Sequence, residues 1–160
     1  MDGEHGERGE HSDALIRALR ADDCARLVRM DQEISGRNRR AWYEGKIRRA
    51  LAEADVKISL GAEIDGTLVG ALLGSVHYGE FGLPEPVAIL DTVLVDPAFS
   101  RRGVASAMLR QLLLNLSALR IERLRTEVAW DEFDLAEFFA KAGFAPVPRV
   151  VLELRVPEAR

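Results

Sequence analysis

Residues 90–114 read LDTVLVDPAFSRRGVASAMLRQLLL, and the rest of the chain can be arranged around them. An apolar run from Ile89 to Val95 has the character of a strand and meets Asp96-Pro97. Proline cannot donate to a sheet ladder, so Pro97 ends the strand. A short polar turn leads to Arg101-Arg102-Gly103-Val104-Ala105-Ser106, and the chain then continues as a long apolar helix. Gly103, Ala105 and Ser106 are small enough to let backbone approach a bulky ligand. The first turn of a helix has unpaired N–H groups and a partial positive charge. Strand, small-residue loop and helix therefore make a cradle for an anion, reinforced by two arginines, and the expected ligand is a phosphate or pyrophosphate. Such a unit can also be no more than a turn. It is not a Walker loop, since no Gly-Lys-Ser/Thr follows. It carries one of the three glycines of the dinucleotide fingerprint, with no second βαβ unit after it.

Outward from this stretch, Ala14–Leu19 reads as a first strand. Asp22-Asp23 offers an N-cap to a helix in which Ala25, Leu27, Val28, Met30 and Ile34 have helical spacing, broken at Ser35-Gly36. Arg37–Ala54 reads as a second helix, with Trp42, Ile47 and Leu51 on or near one face. Val56–Ile64 and Leu68–His77 are strand-like and joined by Asp65-Gly66, a strong hairpin turn. Tyr78–Pro86 is a Gly/Pro loop before a central strand, Val87–Val95. Gly103 to about Leu119 is a helix whose apolar positions nearly encircle it, which predicts deep burial. Leu124–Val128 reads as a strand, Asp131–Ala142 as a helix closed by Gly143, and Val147–Val156 as a last strand stopped by Pro157.

Two stretches resemble the GNAT superfamily of acetyl-CoA-dependent N-acetyltransferases. There a strand ends in Val-x-Pro and is followed by Gln/Arg-x-x-Gly-x-Gly/Ala. This chain has Val95-Asp96-Pro97, then Ser100-Arg101-Arg102-Gly103-Val104-Ala105, departing at Ser100. Phe138-Phe139-Ala140-Lys141-Ala142-Gly143-Phe144 is similar to the family's Leu-Tyr-x-x-x-Gly-Phe. The resemblance spans roughly Ala14 to Val156. It implies a mixed α/β (α+β) fold, with a twisted, mostly antiparallel sheet of six or seven strands flanked by about four helices. A single domain over 13–157 would follow a disordered tail at 1–12.

The resemblance also implies roles. Acetyl-CoA would be the co-substrate, with no metal. Its pantetheine arm would lie along the free backbone of Val93, Leu94 and Val95, with the Leu94 N–H as oxyanion donor. Its pyrophosphate would meet the amides of Arg102, Gly103, Val104, Ala105 and Ser106 and the side chains of Arg101 and Arg102. The acceptor would be a primary amine of a small molecule or a protein, and a homodimer is left open. A non-catalytic acyl-CoA-binding module of the same fold is the alternative. The family's usual tyrosine acid falls at Phe139, which has no proton to give, so water would protonate the leaving thiolate unless Tyr43 or Tyr78 substitutes. Glu132 falls where an asparagine is frequent.

Asp91 is the first candidate for a base, because it interrupts an apolar strand just before the expected carbonyl-binding segment. A purely structural, ion-paired aspartate is the competing reading. Glu127 comes second, and loop residues Glu80 and Glu85 could meet a cationic acceptor. Arg37, Arg39 and Arg40, beside Trp42 and Tyr43, could meet an acidic acceptor or a CoA phosphate, although solvated charge is the default for surface arginines.

Composition agrees with an ordered protein. The chain has 160 residues, 48% hydrophobic and 30% charged, with a net charge of −4. That length suits one sizeable core, and an acidic balance gives nucleic acid no basic surface to bind. Cys24 is the one cysteine, so no internal disulfide can form; a buried structural thiol is expected there. No run approaches transmembrane length and the polar start is unlike a signal peptide, so the expected setting is cytoplasmic, with no membrane partner. The three histidines, His5, His11 and His77, show no metal-ligand spacing.

Overall fold

The computed structural model describes residues 12–52 and 58–157. The expected tail at 1–12 lies, but for Ser12, outside the described residues, as does the start of the strand expected from Val56. By its internal packing the chain divides into two compact units, one ending at Glu127 and one beginning at Val128.

The first unit is built on a five-stranded sheet, β1 (Leu15–Ala18), β2 (Leu60–Ile64), β3 (Thr67–His77), β4 (Val87–Val95) and β5 (Leu124–Arg125), in that spatial order. The first three pairings are antiparallel and β4–β5 is parallel. The β2–β3 hairpin turns at Asp65-Gly66, both left-handed (φ 49° and 76°), as a two-residue turn matched to strand twist requires.

Helices α1 (Cys24–Ser35) and α2 (Arg40–Ala52) cover one face of the sheet, and α3 (Val104–Ala118) covers the other. On the first face Leu27, Val28, Met30, Tyr43 and Ile47 pack with Ala71, Leu73 and Leu94. Tyr43 and Ile47, four apart, form the inner stripe of α2. Trp42 and Leu51, expected there, are each 42% exposed. On the opposite face a Cβ at Gly70 would meet Val104 and Met108 at 3.0 Å, so glycine lets α3 sit close. The buried row of α3 is Val104, Met108, Leu109, Leu112 and Leu116. The all-round burial expected for this helix is not found: Leu113 and Leu114 are 44% and 65% exposed, because sheet covers only one side.

Arg17 ties the sheet edge together. Its guanidinium donates two 2.8 Å bonds to Asp23 and one of 2.7 Å to Glu63. The Asp23 carboxylate also accepts from the Arg20 N–H at 2.7 Å, closing the turn into α1. Burial works to raise the Asp23 pKa, and these donors more than reverse it, so the carboxyl stays ionised.

The second unit holds α4 (Phe133–Lys141), closed by Gly143 at φ 93°. Phe139 is its buried residue, with ring centroids 5.2 Å from Phe138 and 4.9 Å from Phe144. The strand expected over Val147–Val156 does not form. These residues carry no strand, and Val150, Leu152 and Leu154 are more than 80% exposed. A strand exists only where a neighbour accepts its ladder bonds, and apolar alternation cannot supply that neighbour. The sheet thus has five strands among the described residues rather than six or seven.

Candidate active site

Strand β4 loses its neighbour halfway along. It pairs with β5 only at Ala88–Leu124 and Ile89–Arg125. The Thr126 hydroxyl then donates to Leu90 O at 2.8 Å, and no ladder pair follows. From Asp91 onward this edge of β4 has no strand partner among the described residues.

The register with β3 settles which groups they are. Asp96 N–H donates to Val69 O at 2.8 Å. Bonded and non-bonded pairs alternate in an antiparallel ladder. Gly70 faces Val95, Ala71 faces Leu94 and Leu72 faces Val93, so Leu94 belongs to a bonded pair with β3. The amides of Val93 and Val95 turn to the open edge. The expected Leu94 donor is therefore engaged inside the sheet, a one-residue difference that apolar alternation could not show. The Leu94 side chain is buried in the core against α1 and α2.

At the end of β4 the chain folds into the expected loop. The Asp96 carboxylate caps the turn at Pro97–Phe99 by accepting from Ala98 N–H at 2.8 Å, and Arg26 of α1 pairs with the same carboxylate. Arg26 also donates to Leu68 O at 3.1 Å. Ser100, which departs from the family pattern, uses its hydroxyl on Pro97 O at 2.8 Å. Arg101 and Gly103 are both left-handed, at φ 59° and 70°. That conformation is costly for arginine, and strained residues of this kind gather at ligand sites. Ala107 N–H makes the first helical bond of α3, to Gly103 O at 2.9 Å, so the N–H groups of Val104, Ala105 and Ser106 before it have no acceptor within the helix. The side chains of Arg101 and Arg102 are exposed, and Arg102 lies 5.0 Å over the Phe99 ring. Gly103 and Val104 are buried, and Ala105 and Ser106 half-buried.

These features fit an extended acyl carrier with a diphosphate: donors along a strand edge, then an anion nest with two cations. Among the described residues no group of three His, Cys, Asp or Glu could hold a metal ion. No described helix is long and apolar enough to cross a membrane.

Asp91 lies where the β3–β4 register slips. Leu73 faces Thr92 and Gly74 faces Leu90, so Asp91 is the extra residue of a β-bulge. Its carboxylate accepts from the Thr92 hydroxyl at 2.8 Å and forms an ion pair with Lys46 of α2. Lys46 in turn lies 4.7 Å over the Trp42 ring. The sequence did not single out Lys46; its only mark there is a place four residues after Trp42. Glu85 and Glu127 are exposed, and Glu80 pairs with His77 at 2.9 Å. Arg40 makes a 3.7 Å pair with Glu44, one turn on.

Arg39 turns inward to the buried Asp31: Nε donates to Oδ2 at 2.8 Å and Nη2 to Oδ1. The guanidinium holds the Asp31 carboxyl below the usual range despite burial, with help from the Tyr43 hydroxyl. Burial and the nearby Asp31 charge push the Tyr43 phenol up to about 12. Tyr43 is 1% exposed, so it is a core donor to Asp31 and cannot serve as the missing acid. Burial likewise raises the Cys24 thiol, which is half-buried against the core.

A depressed folded-state carboxyl stabilises above the unfolded value, and that stability is lost as pH falls through the folded value. Asp31→Asn should therefore cost about 1–2 kcal/mol at neutral pH, since Arg39 is half-exposed and can be solvated instead. The melting curves of variant and parent should converge below about pH 4. Parallel loss down to low pH would show that Asp31 titrates normally.

The comparisons agree with this fold. The family model described as "Acetyltransferase (GNAT) family" matches residues 21–144. An uncharacterized N-acetyltransferase of Escherichia coli strain K12, YafP, is 28% identical over 140 residues, covering 82% of this chain and 79% of that protein. Among solved structures, the aminoglycoside N-acetyltransferase AAC(6')-Iy in complex with CoA superposes with a TM-score of 0.75 at 18% identity, over 91% of this chain and 96% of that one. The apo aminoglycoside 6'-N-acetyltransferase AAC(6')-IG of Acinetobacter haemolyticus gives 0.73 at 20% identity, over 90% and 99%. At such identities the structural likeness speaks for fold, and the family match speaks for kinship: the chain belongs to the acetyltransferase (GNAT) family.

Proposed function

We propose that the protein transfers an acetyl group from acetyl-CoA to a primary amine of a small molecule or protein, by direct attack of the amine on the thioester. The observation that carries this reading is the open edge of β4 running into the left-handed Arg101–Gly103 loop and the start of α3. The CoA complex of a structural neighbour supports the choice of donor. When bound, acetyl-CoA supplies an activated acyl group.

The chain's own residues do the rest by position and charge. The N–H groups of Val93 and Val95 lie on the open edge. Val93, nearer the bulge, is the donor for the carbonyl oxygen, and Val95 holds the carrier arm. The amides of Arg102 to Ser106, with the side chains of Arg101 and Arg102, bind the diphosphate. Asp91 lies two residues before Val93 and accepts a proton from the incoming ammonium, exchanging its Lys46 partner for the acceptor. Water protonates the departing thiolate, which is a good leaving group near neutral pH. A free thiol at Cys24 suits a cytoplasmic setting.

Gly103 gives the direct test. Gly103→Glu places an anion where backbone must touch phosphate and should weaken CoA binding at least about ten-fold, the scale of one charge-assisted contact. Gly103→Asn is the control, because asparagine tolerates the left-handed backbone without adding charge. Calorimetric titration with CoA reads both. Equal affinity in the folded Glu and Asn variants would remove the phosphate assignment. Tight CoA binding with no thiol released across an amine panel would favour an acyl-CoA-binding module instead.

A further inference from the structure

On β3 and the turn after it, three side chains outside the open edge form a connected row. His77 Nδ1 lies 2.9 Å from Glu80 Oε2, and His77 Nε2 lies 2.9 Å from Ser75 Oγ. Ser75 and His77 are two apart on one strand and so share a face. Gly79, left-handed at φ 68°, reverses the chain and brings Glu80 back to the ring. An ionised carboxylate only accepts, so whenever the ring is neutral its proton sits on Nδ1. Nε2 is then the acceptor, and the Ser75 hydroxyl donates to it.

This is the connectivity of an activated nucleophile: hydroxyl to imidazole, imidazole to carboxylate. It is recognised by geometry and roles rather than by fold or chain order. The row is reachable, with the His77 side chain 38% exposed and Glu80 51%. Beside it in sequence stand two exposed aromatics, Tyr78 (67%) and Phe81 (82%). Phe81 is held at φ 51° although nothing buries it, a cost that a packed core does not repay. We infer that Ser75, His77 and Glu80 form a second catalytic site, a serine centre that accepts acyl groups from small activated esters such as aryl acetates. The inference goes beyond the amine acetylation above and does not depend on it.

The step balances with water as the only co-reactant. Ser75 Oγ forms a bond to the ester carbonyl carbon as its proton passes to His77 Nε2, and the carbon–aryloxide bond breaks. The imidazolium is held by Glu80 and gives its proton to the departing oxygen or to solvent. Water then attacks the acyl-serine, its proton goes to Nε2, the carbon–Oγ bond breaks, and Oγ takes the proton back. The products are a carboxylate, an aryl alcohol and one proton.

The experiment is hydrolysis of p-nitrophenyl acetate by the full chain without CoA, with acid-quenched samples taken for peptide mass mapping. Phenylmethanesulfonyl fluoride serves as an independent serine probe. Nitrophenolate release, an acetyl adduct on the Ser75 peptide and sulfonylation at Ser75 are expected. Ser75→Ala should abolish both adducts and lower turnover by about 10²-fold or more; His77→Asn should match it, and Glu80→Gln should cost about ten-fold. Melting temperature should be unchanged in all three, and CoA-dependent amine acetylation should be unchanged in Ser75→Ala and His77→Asn. Ser75→Cys keeps a nucleophile and should keep an adduct. Ester turnover that survives Ser75→Ala, or acetyl carried by His77 itself, would overturn the inference.

Discussion

Asp91→Asn should lower kcat/KM for amine acetylation by about 10²-fold, the low end for loss of a general base. The expectation rests on where the bulge puts Asp91. A regular strand would alternate Asp91 with its neighbours and pair it with β3. The slip at Leu73/Gly74 removes that partner, and the carboxylate meets Lys46 of α2 two residues before the open-edge amide of Val93. An amide at this position keeps the shape and the hydrogen bond with Thr92 but takes no proton. The rival account is an ion pair that merely pins α2 to the sheet, and Lys46→Met separates the two. If Asp91 is the base, releasing it from Lys46 leaves turnover of cationic amines intact while Asp91→Asn loses it. If the pair is structural, both substitutions lower the melting temperature alike and the double variant is no worse than either. A normally melting Asp91→Asn protein with full activity on its acceptor would end the case for a base. Simple positioning of an already neutral amine would then carry the reaction.

Gly74→Ala should destabilise the protein by about 3 kcal/mol, at the upper end for a forced overpacking. Gly74 stands opposite the bulge, its N–H donating to Ser59 Oγ at 3.3 Å. A Cβ there would drive into the Ile89 carbonyl oxygen and approach Ile58 Cδ1 at 3.1 Å. The first of these is backbone in the ladder and cannot swing aside, so β3 and β4 must separate or the bulge must shift. Loss in melting temperature should be about 6–12 °C for a chain of this size. Because the same shift moves Asp91, activity should fall further than the fraction unfolded explains. A Gly61→Ala variant is the natural comparison. Its added Cβ meets Leu68 Cδ1 at 2.7 Å, the far end of a flexible side chain that can turn away. Equal stability of the Gly74 and Gly61 variants would show that the bulge is pliable.

Local sequence was sufficient wherever a local rule governs. Asp65-Gly66 fits the left-handed pair a tight hairpin needs, and the turn is there. Pro97 ends β4, Gly103 opens α3, and Gly36 closes α1 at φ 69°. The loop between β4 and α3 was legible for the same reason, since proline, small residues and a helix start lie within ten residues of one another. Val147–Val156 shows the limit of pattern: its alternation is as good as that of β4, yet a strand needs a partner that its own residues cannot provide. α2 shows another limit. Trp42 and Leu51 looked as apolar as Tyr43 and Ile47, and only the angle at which the helix meets the sheet selected the inner pair. Asp91 and Lys46 are 45 residues apart, so their pairing depends on α2 crossing the bulge. The edge to which Leu94 or Val93 points depends on one slip of register and on the early end of β5. Spacing and turn residues thus determined most of the elements, and two motifs carried the resemblance to the family. Tertiary contact decided which backbone amides stay free and which carboxylate meets a cation, because each depends on residues distant in sequence being held within hydrogen-bond reach.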